Sequence, residues 1–421
     1  TFIAMAGYLI YFNLTQAESI INNSYNKRQG VLSRRTIRGS ILSDDKTKLA
    51  VTNVDDDGNE TRYYPYSGLF SHTIGYLNNG GYGLESLYGY YMLHSNQNFF
   101  EQIGNDLSGN RNTGDNVVTT LNVGLQKACY DALGSNRGAV IVMEPSTGKI
   151  LAMVSKPDFD PNTLAANWSQ ITGEGSDSVL VNRATQGLYP PGSTFKLITM
   201  LEYLREHKND YGQYHYICDG TYELGNNTIN CVRTTAHGDV DLFSSLAVSC
   251  NCSFINIGLS LDLDRYKKTA EKMLFNKELP TNLEYNKSRF VLNGESSEWD
   301  IAQTSFGQGK TVITPFHLAL ITCTIANNGT LMEPYLVSSV ESTNGMTVKK
   351  FKEEKYDTLI TEKEASLLKK GMEQVVKDSF SWLFGGVEYT LAAKSGSAQY
   401  GTEGYEPVSY THLRAHETLA N

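Results

Sequence analysis

Tyr189-Pro190-Pro191-Gly192-Ser193-Thr194-Phe195-Lys196-Leu197-Ile198 is the stretch on which the reading of this 421-residue chain turns. Two prolines and a glycine halt the chain, and the run from Phe195 to Leu204 that follows has helical character. Ser193 therefore falls at an N-cap or first-turn position, and Lys196, three residues on, shares its helix face. A serine hydroxyl is a weak nucleophile until a base takes its proton. A lysine whose pKa is lowered by burial can serve as that base, and the helix N-terminus favours the developing negative charge. The spacing alone is weak, because SxxK also occurs at Ser24/Lys27, Ser43/Lys46, Ser146/Lys149 and Ser366/Lys369. The second and third of these fall in turns, and the last falls in mid-helix. Only Ser193 stands at a loop-to-helix junction that exposes a hydroxyl.

Two further short patterns lie downstream. Ser249-Cys250-Asn251 follows Leu242–Val248, a predicted helix, and offers a hydroxyl and an amide on a short loop. Lys394-Ser395-Gly396-Ser397-Ala398 follows a predicted strand at 389–393, where Gly396 would let a substrate backbone approach closely. The first pattern is common by itself and would otherwise read as a polar turn, whereas the second is the only K-[ST]-G in the chain.

Outward from these motifs, the bulk numbers set limits. A chain of this length predicts two domains, and 40% apolar with 19% charged residues predicts a globular one. A net charge of −9 gives no reason to expect nucleic acid. Residues 15–115 are rich in Gly, Asn, Tyr and Asp, and 104–115 reads as a linker. From Asn116 the texture changes to a strand-like run, an amphipathic helix beginning near Val123, and two apolar strands joined by Glu144–Gly148. The expected division is an N-terminal module over 15–115 and a larger α+β domain with an antiparallel sheet over 116–406.

Both ends read differently from the body. Residues 2–13 are nearly all apolar or aromatic, too few for the ~20 that cross a bilayer, and a polar Asn-rich run follows. Residues 1–14 are expected to be part of a single-pass membrane anchor, with a buried helix as the competing reading. Residues 407–421 show neither helical nor strand periodicity and read as a foreign tail. Six cysteines (Cys129, Cys218, Cys231, Cys250, Cys252 and Cys323) show no zinc-type spacing, so no metal and no cofactor is expected. Cys218 and Cys231 flank a short Gly/Asn-rich stretch, where a disulfide and two separate thiols both remain open.

SxxK, then SxN, then K-[ST]-G, in this order, resembles the signature set of penicillin-binding proteins and serine β-lactamases. The flanking text agrees: Gly192 before Ser193, His237-Gly238 upstream of the second motif, then Phe306-Gly307-Gln308-Gly309, Thr314-Pro315 and Ala326-Asn327-Asn328-Gly329. The likeness covers roughly 117–405. Arg38-Gly39-Ser40-Ile41 with Asp44, and Gly81-Tyr82-Gly83-Leu84-Glu85 with Tyr88, resemble the pedestal, or dimerisation-like, domain of the class B proteins. No segment resembles a glycosyltransferase domain.

That resemblance implies a monofunctional D,D-transpeptidase that cross-links peptidoglycan stem peptides ending in D-Ala-D-Ala and is inhibited by covalent β-lactams. It implies Ser193 as nucleophile, Lys196 as base, Ser249 as relay to the leaving amine and Asn251 as a holder of the substrate amide. Lys394 would support the relay and the substrate carboxylate. Ser395 and Ser397, with Gly396, would bind that carboxylate, and the backbone N–H groups of Ser193 and Ser397 would form the oxyanion hole. The expected location is the extracytoplasmic face of the cell membrane, beside a membrane glycosyltransferase partner. Ser395 and Ser397 replace the more usual threonines but keep the hydroxyls. The strands and C-terminal helix that follow the third motif in this family give way here to residues 407–421. The third-motif strand is therefore expected to lack its hairpin partner, at a loss of stability. A β-lactamase or D,D-carboxypeptidase is the first alternative, and a non-catalytic scaffold or β-lactam sensor the second.

Overall fold

The apolar runs at 138–156 form the expected hairpin. Gly138–Met143 pairs antiparallel with Ile150–Lys156, Ile141 opposite Met153, around a turn closed by Gly148 N–H donating to Glu144 O at 2.9 Å. Gly148 takes φ +82°, a conformation glycine adopts without a Cβ penalty. The helix Val123–Leu133 covers this hairpin, its first turn capped by Asn122, whose side chain accepts from Leu125 N–H. The computed structural model of the chain describes residues 4–8, 11, 33, 36–173, 177–399 and 417–419.

The largest sheet combines the antiparallel pairing expected of the second domain with one parallel pairing contributed by the N-terminal module. Its six strands run in the order Thr347–Lys350, Val337–Glu341, Asn116–Thr119, Ile41–Leu42, Lys48–Val54, Glu60–Tyr63. Asn116–Thr119 lies within it, antiparallel to Val337–Glu341 and parallel to Ile41–Leu42. The texture change near 112–118 thus falls on a strand that binds the N-terminal module to the later chain. The segment read as a linker is also ordered: Phe99–Ser108 is helical, and Asn112–Thr113 pairs parallel with Thr36–Ile37. Ile41, Leu49, Phe70 and Ile74 of the module share one apolar core with Phe195, Phe254, Phe275 and Phe316.

Three elements place the site. The helix Lys196–Glu206 is buried along 196–204, as expected for a helix whose apolar residues are spread around its circumference. The helix Leu242–Ala247 begins with a capping box between Asp241 and Ser244 and ends just before the SxN loop. The helix Glu362–Ser379, capped by Thr361 and Glu364, crosses it where Gly371 leaves room for Leu246 and Phe243. This last helix also anchors the third motif, since Ala393 N–H donates to Met372 O at 3.1 Å.

The strand Thr390–Ala392 has a partner, against the sequence expectation: it pairs antiparallel with Glu417–Leu419, inside the segment read as a foreign tail. The rest of 407–421, the Ser24/Lys27 pair and most of the proposed anchor lie outside the described residues. No helix among the described residues is long and apolar enough to cross a membrane.

Candidate active site

Ser193 sits in a 3-10 turn, Gly192–Phe195, that runs directly into the helix Lys196–Glu206. It is therefore a first-turn residue rather than a side-chain cap. Gly192 takes φ +57°, and a Cβ there would lie 2.7 Å from Ser397 O. Gly192 N–H donates to Gly307 O at 2.8 Å, so the turn is held from below by the Phe306–Gly309 loop and from the side by the third-motif segment that follows the strand Thr390–Ala392. A Cβ on Gly396 would meet Pro191 O and the Thr194 methyl at 3.0 Å. The glycines at 192 and 396 are what let the nucleophile turn and the third motif come together.

The three sequence motifs converge on Ser249. Lys196 Nζ is 3.1 Å from Ser193 Oγ, 3.2 Å from Ser249 Oγ and 2.7 Å from Ser249 O. It also donates to Asn251 Oδ1 at 2.8 Å. Lys394 Nζ approaches Ser249 Oγ from the other side at 3.0 Å and donates to Ser395 O at 2.8 Å. Ser249 holds this bridging position at φ +55°, a left-handed conformation that costs a non-glycine residue about 1–2 kcal/mol. Asn251 opens the helix Asn251–Ser260, and its Nδ2 donates to Asn230 O at 3.0 Å.

Both lysines are buried, at 0% and 1% exposure. Burial disfavours the ammonium form, and it pulls Lys196 down to about 7, with Cys250, Cys231 and Cys252 pushing the other way. Lys394 is drawn well below its usual range by the same burial and by the Lys196 charge. Ser193, Ser249, Asn251 and Ser395 are half-buried, and Ser397 is exposed. All eight residues singled out in the sequence thus gather at one place. Ser43/Lys46 and Ser146/Lys149 lie in turns and Ser366/Lys369 in a helix, all apart from it.

Sequence reading missed what lies directly behind the second motif. Cys218, Cys231, Cys250 and Cys252 are all buried, and Cys231 Sγ is 3.7, 3.8 and 3.4 Å from the sulfurs of Cys218, Cys250 and Cys252. His237 Nδ1 lies 3.4 Å from Cys218 Sγ. The ligand atoms of Cys218, Cys231, Cys250 and His237 all fall within 4.8 Å of one another, a donor set able to hold a metal ion. The expectation of no metal rested on the lack of local spacing, and the fold supplies the proximity that the spacing lacks. The one sequence hint was the pair Cys250 and Cys252, flanking Asn251.

Two family models match the chain: "Penicillin binding protein transpeptidase domain" over residues 138–414, and "Penicillin binding protein A dimerisation domain" over 38–117. The chain is 30% identical over 370 residues to a peptidoglycan D,D-transpeptidase PbpA of Mycolicibacterium smegmatis, covering 82% of this chain and 72% of that one. It is 27% identical to the peptidoglycan D,D-transpeptidase MrdA of Acinetobacter baumannii, covering 80% of this chain and 56% of that one. Among solved structures, the D,D-transpeptidase domain of a peptidoglycan glycosyltransferase from Eggerthella lenta superposes with a TM-score of 0.80 at 28% identity. It covers 91% of this chain and 90% of its own. The imipenem acyl-enzyme of penicillin-binding protein A from M. tuberculosis gives 0.77 at 28%, covering 86% and 87%. With the first family model spanning well over half of its residues, this chain belongs to the penicillin-binding protein transpeptidase family.

Proposed function

We propose that this chain is a class B peptidoglycan D,D-transpeptidase, acylated on Ser193 by stem peptides and by β-lactams. The observation that carries the assignment of roles is the bridging of Ser249 Oγ between Lys196 Nζ and Lys394 Nζ, with Ser193 Oγ 3.1 Å from Lys196. A lysine titrating at about 7 is neutral often enough near neutral pH to accept the Ser193 proton. Ser193 Oγ then bonds to the carbonyl carbon of the penultimate D-alanine, and the amide bond to the terminal D-alanine breaks. The proton reaches the leaving amine through Ser249. An amine of a second stem peptide attacks the ester, forms the cross-link and returns the proton to Ser193.

Lys394, buried with no acidic partner among the described residues, is suited to the terminal carboxylate of the donor peptide, which would stabilise its protonated form. Ser395 and Ser397 would add hydroxyl donors to that carboxylate, and Asn251 would hold the peptide amide. The backbone N–H groups of Ser193 and Ser397 are the proposed oxyanion hole, worth about 10²–10³ in rate per donor. In this reading 15–115 is a pedestal and 116–406 the transpeptidase domain. The N-terminal segment anchors both at the outer membrane face, near a membrane glycosyltransferase that supplies uncross-linked strands.

Intact-protein mass after exposure to a labelled penicillin tests the assignment. The expected result is one long-lived adduct per chain, mapped to Ser193 and absent from Ser193→Ala. An adduct that turns over rapidly would instead assign a hydrolase. No adduct on a cooperatively melting chain would overturn the acyl-enzyme.

A further inference from the structure

The seam between the N-terminal module and the later chain holds a cleft that acyl transfer does not use. His72, on the helix Ser71–Ile74, lines it together with Tyr82 and Leu87 from the module. Met153, Thr185 and Glu284 line it from the later chain. The two sets of walls are tied to each other, since Asn182 Nδ2 donates to His72 O at 3.2 Å and Thr73 Oγ1 donates to Met153 O at 2.9 Å. The space between them is about 40 Å³, room for about two or three heavy atoms.

Two buried polar atoms of these walls lack partners. His72 is 4% and Thr185 1% exposed, and neither His72 Nδ1 nor Thr185 Oγ1 meets a hydrogen-bond partner. His72 Nε2 lies 3.0 Å from Pro157 O, a carbonyl that can only accept, so the ring proton sits on Nε2 and Nδ1 is a bare acceptor. The ring is neutral at pH 7, because burial lowers it to about 4. A buried acceptor without a donor is costly, which favours an occupant that supplies one. Glu284 is exposed, is the one acidic side chain of the walls, and has no ion pair among the described residues. Tyr82, pushed up to about 12 chiefly by burial, stays a neutral phenol. No lysine or arginine among the described residues lines the cleft, and Leu87, Met153, Leu283 and Leu336 give it apolar surface.

We propose that this cleft binds the end of an aliphatic primary ammonium chain, which donates to His72 Nδ1 and Thr185 Oγ1 and is held by the Glu284 carboxylate. An ammonium brings three donors and no acceptor, which matches this set of walls. The methylenes next to it would lie on the apolar surface, as the stems of long cationic side chains do. A neutral alcohol of the same length brings one donor and meets no counter-charge, and an anion would face both Glu284 and the His72 lone pair. Two sources carry this chemistry: the amine-bearing side chain of an uncross-linked stem peptide, and a free polyamine. The first source rests on the transpeptidase reading, whereas the amine site itself does not. Because the walls come from both regions, an occupant bridges them and stabilises the folded chain.

The test titrates the full chain with pentylamine and with pentanol, followed by melting temperature and by saturation-transfer NMR of the ligand. The expected result is saturable binding of the amine, about tenfold or more tighter than the alcohol, with an affinity that falls as salt is added. Glu284→Gln alters an exposed side chain outside the proposed catalytic groups. It should weaken the amine by about fivefold and leave penicillin acylation at the wild-type rate. Thr185→Val should weaken the amine as well, its melting curve reporting whether it has folded. Equal binding of amine and alcohol, no saturable binding of the amine, or an unchanged affinity in Glu284→Gln would overturn the site. Nα-acetyl-lysine amide against spermidine then separates the sources: tighter binding of the first assigns a peptide side chain, and tighter binding of the second a polyamine. A chain that binds the amine saturably but takes no penicillin adduct would count against the transpeptidase alone.

Discussion

Lys196 concentrates the chemistry of this site in one ammonium group. Its Nζ touches Ser193, Ser249 and Asn251, and burial lowers it to about 7 from an ordinary 10.5. The base form is then scarce below about pH 7 and dominant above it. The acylation rate with a labelled penicillin should rise about tenfold per pH unit below 7 and level off above, reported by stopped-time mass analysis. A rate flat from pH 5 to 8 would remove Lys196 as the base. The same shift carries a stability term of definite sign. The unfolded chain keeps this proton up to about 10.5 and the folded chain only to about 7. The destabilisation is complete below 7 and fades as the pH rises toward 10.5. At this scale the sequence was informative because the loop-to-helix setting singled out one SxxK among five. The lysine's environment was not legible, since beyond Ser193 it is set by residues 35 to 198 positions away in the chain.

Elements bring those residues together, and glycine decides how close they come. Gly192 N–H donates to Gly307 O, and a Cβ on Gly307 would lie 1.7 Å from Gly192 O. Gly192 itself has φ +57° beside the Ser397 backbone. Gly192→Ala therefore adds left-handed strain of about 1–2 kcal/mol and forces the nucleophile turn away from the third-motif segment. The expected result is an acylation rate lowered by about tenfold or more, because misplacement of about 1 Å can cost 10²-fold, with a modest fall in melting temperature. A variant that melts lower but acylates at the wild-type rate would show that the close approach serves packing only. The hairpin at 138–156 and the helices at 196, 242 and 362 were legible because each announces itself within about a dozen residues through periodicity and caps. The ordered segment Phe99–Ser108, the parallel pairing of Ile41–Leu42 with 117–118, and the cysteine cluster were not. Their partners lie far along the chain or lack a local pattern, and turn-rich composition around 104–115 outweighed a short helix. The pairing of Thr390–Ala392 with Glu417–Leu419 escaped for a related reason, as a three-residue strand carries almost no periodicity.

Across the whole molecule, the two regions share a sheet and a core, so a weakness in the N-terminal module reaches the site. The module's own keystone is ionic. Glu85 is fully buried between Arg38 at 2.9 Å and Arg62 at 2.7 Å, and Arg62 also donates to Gly39 O and Thr52 Oγ1. Burial alone would raise the Glu85 carboxyl, but Arg62 and Arg38 more than offset this and hold it below 4.5. A depressed carboxylate contributes stability at pH values above 4.5 and loses it as the pH falls through the folded value, so acid should loosen this module. Glu85→Gln leaves two buried guanidinium groups without a counter-charge, at a cost of about 3–5 kcal/mol. That loss should appear at pH 7 as a lower urea midpoint, whereas at acid pH, where Glu85 itself is protonated, wild type and variant should converge. Replacing all three charges by apolar residues of similar volume should restore most of the midpoint, since it is the orphaned charges that destabilise. A single variant within about 1 kcal/mol of wild type would mean that solvent reaches the triad. The module would then be joined to the transpeptidase region by its strands and apolar contacts alone.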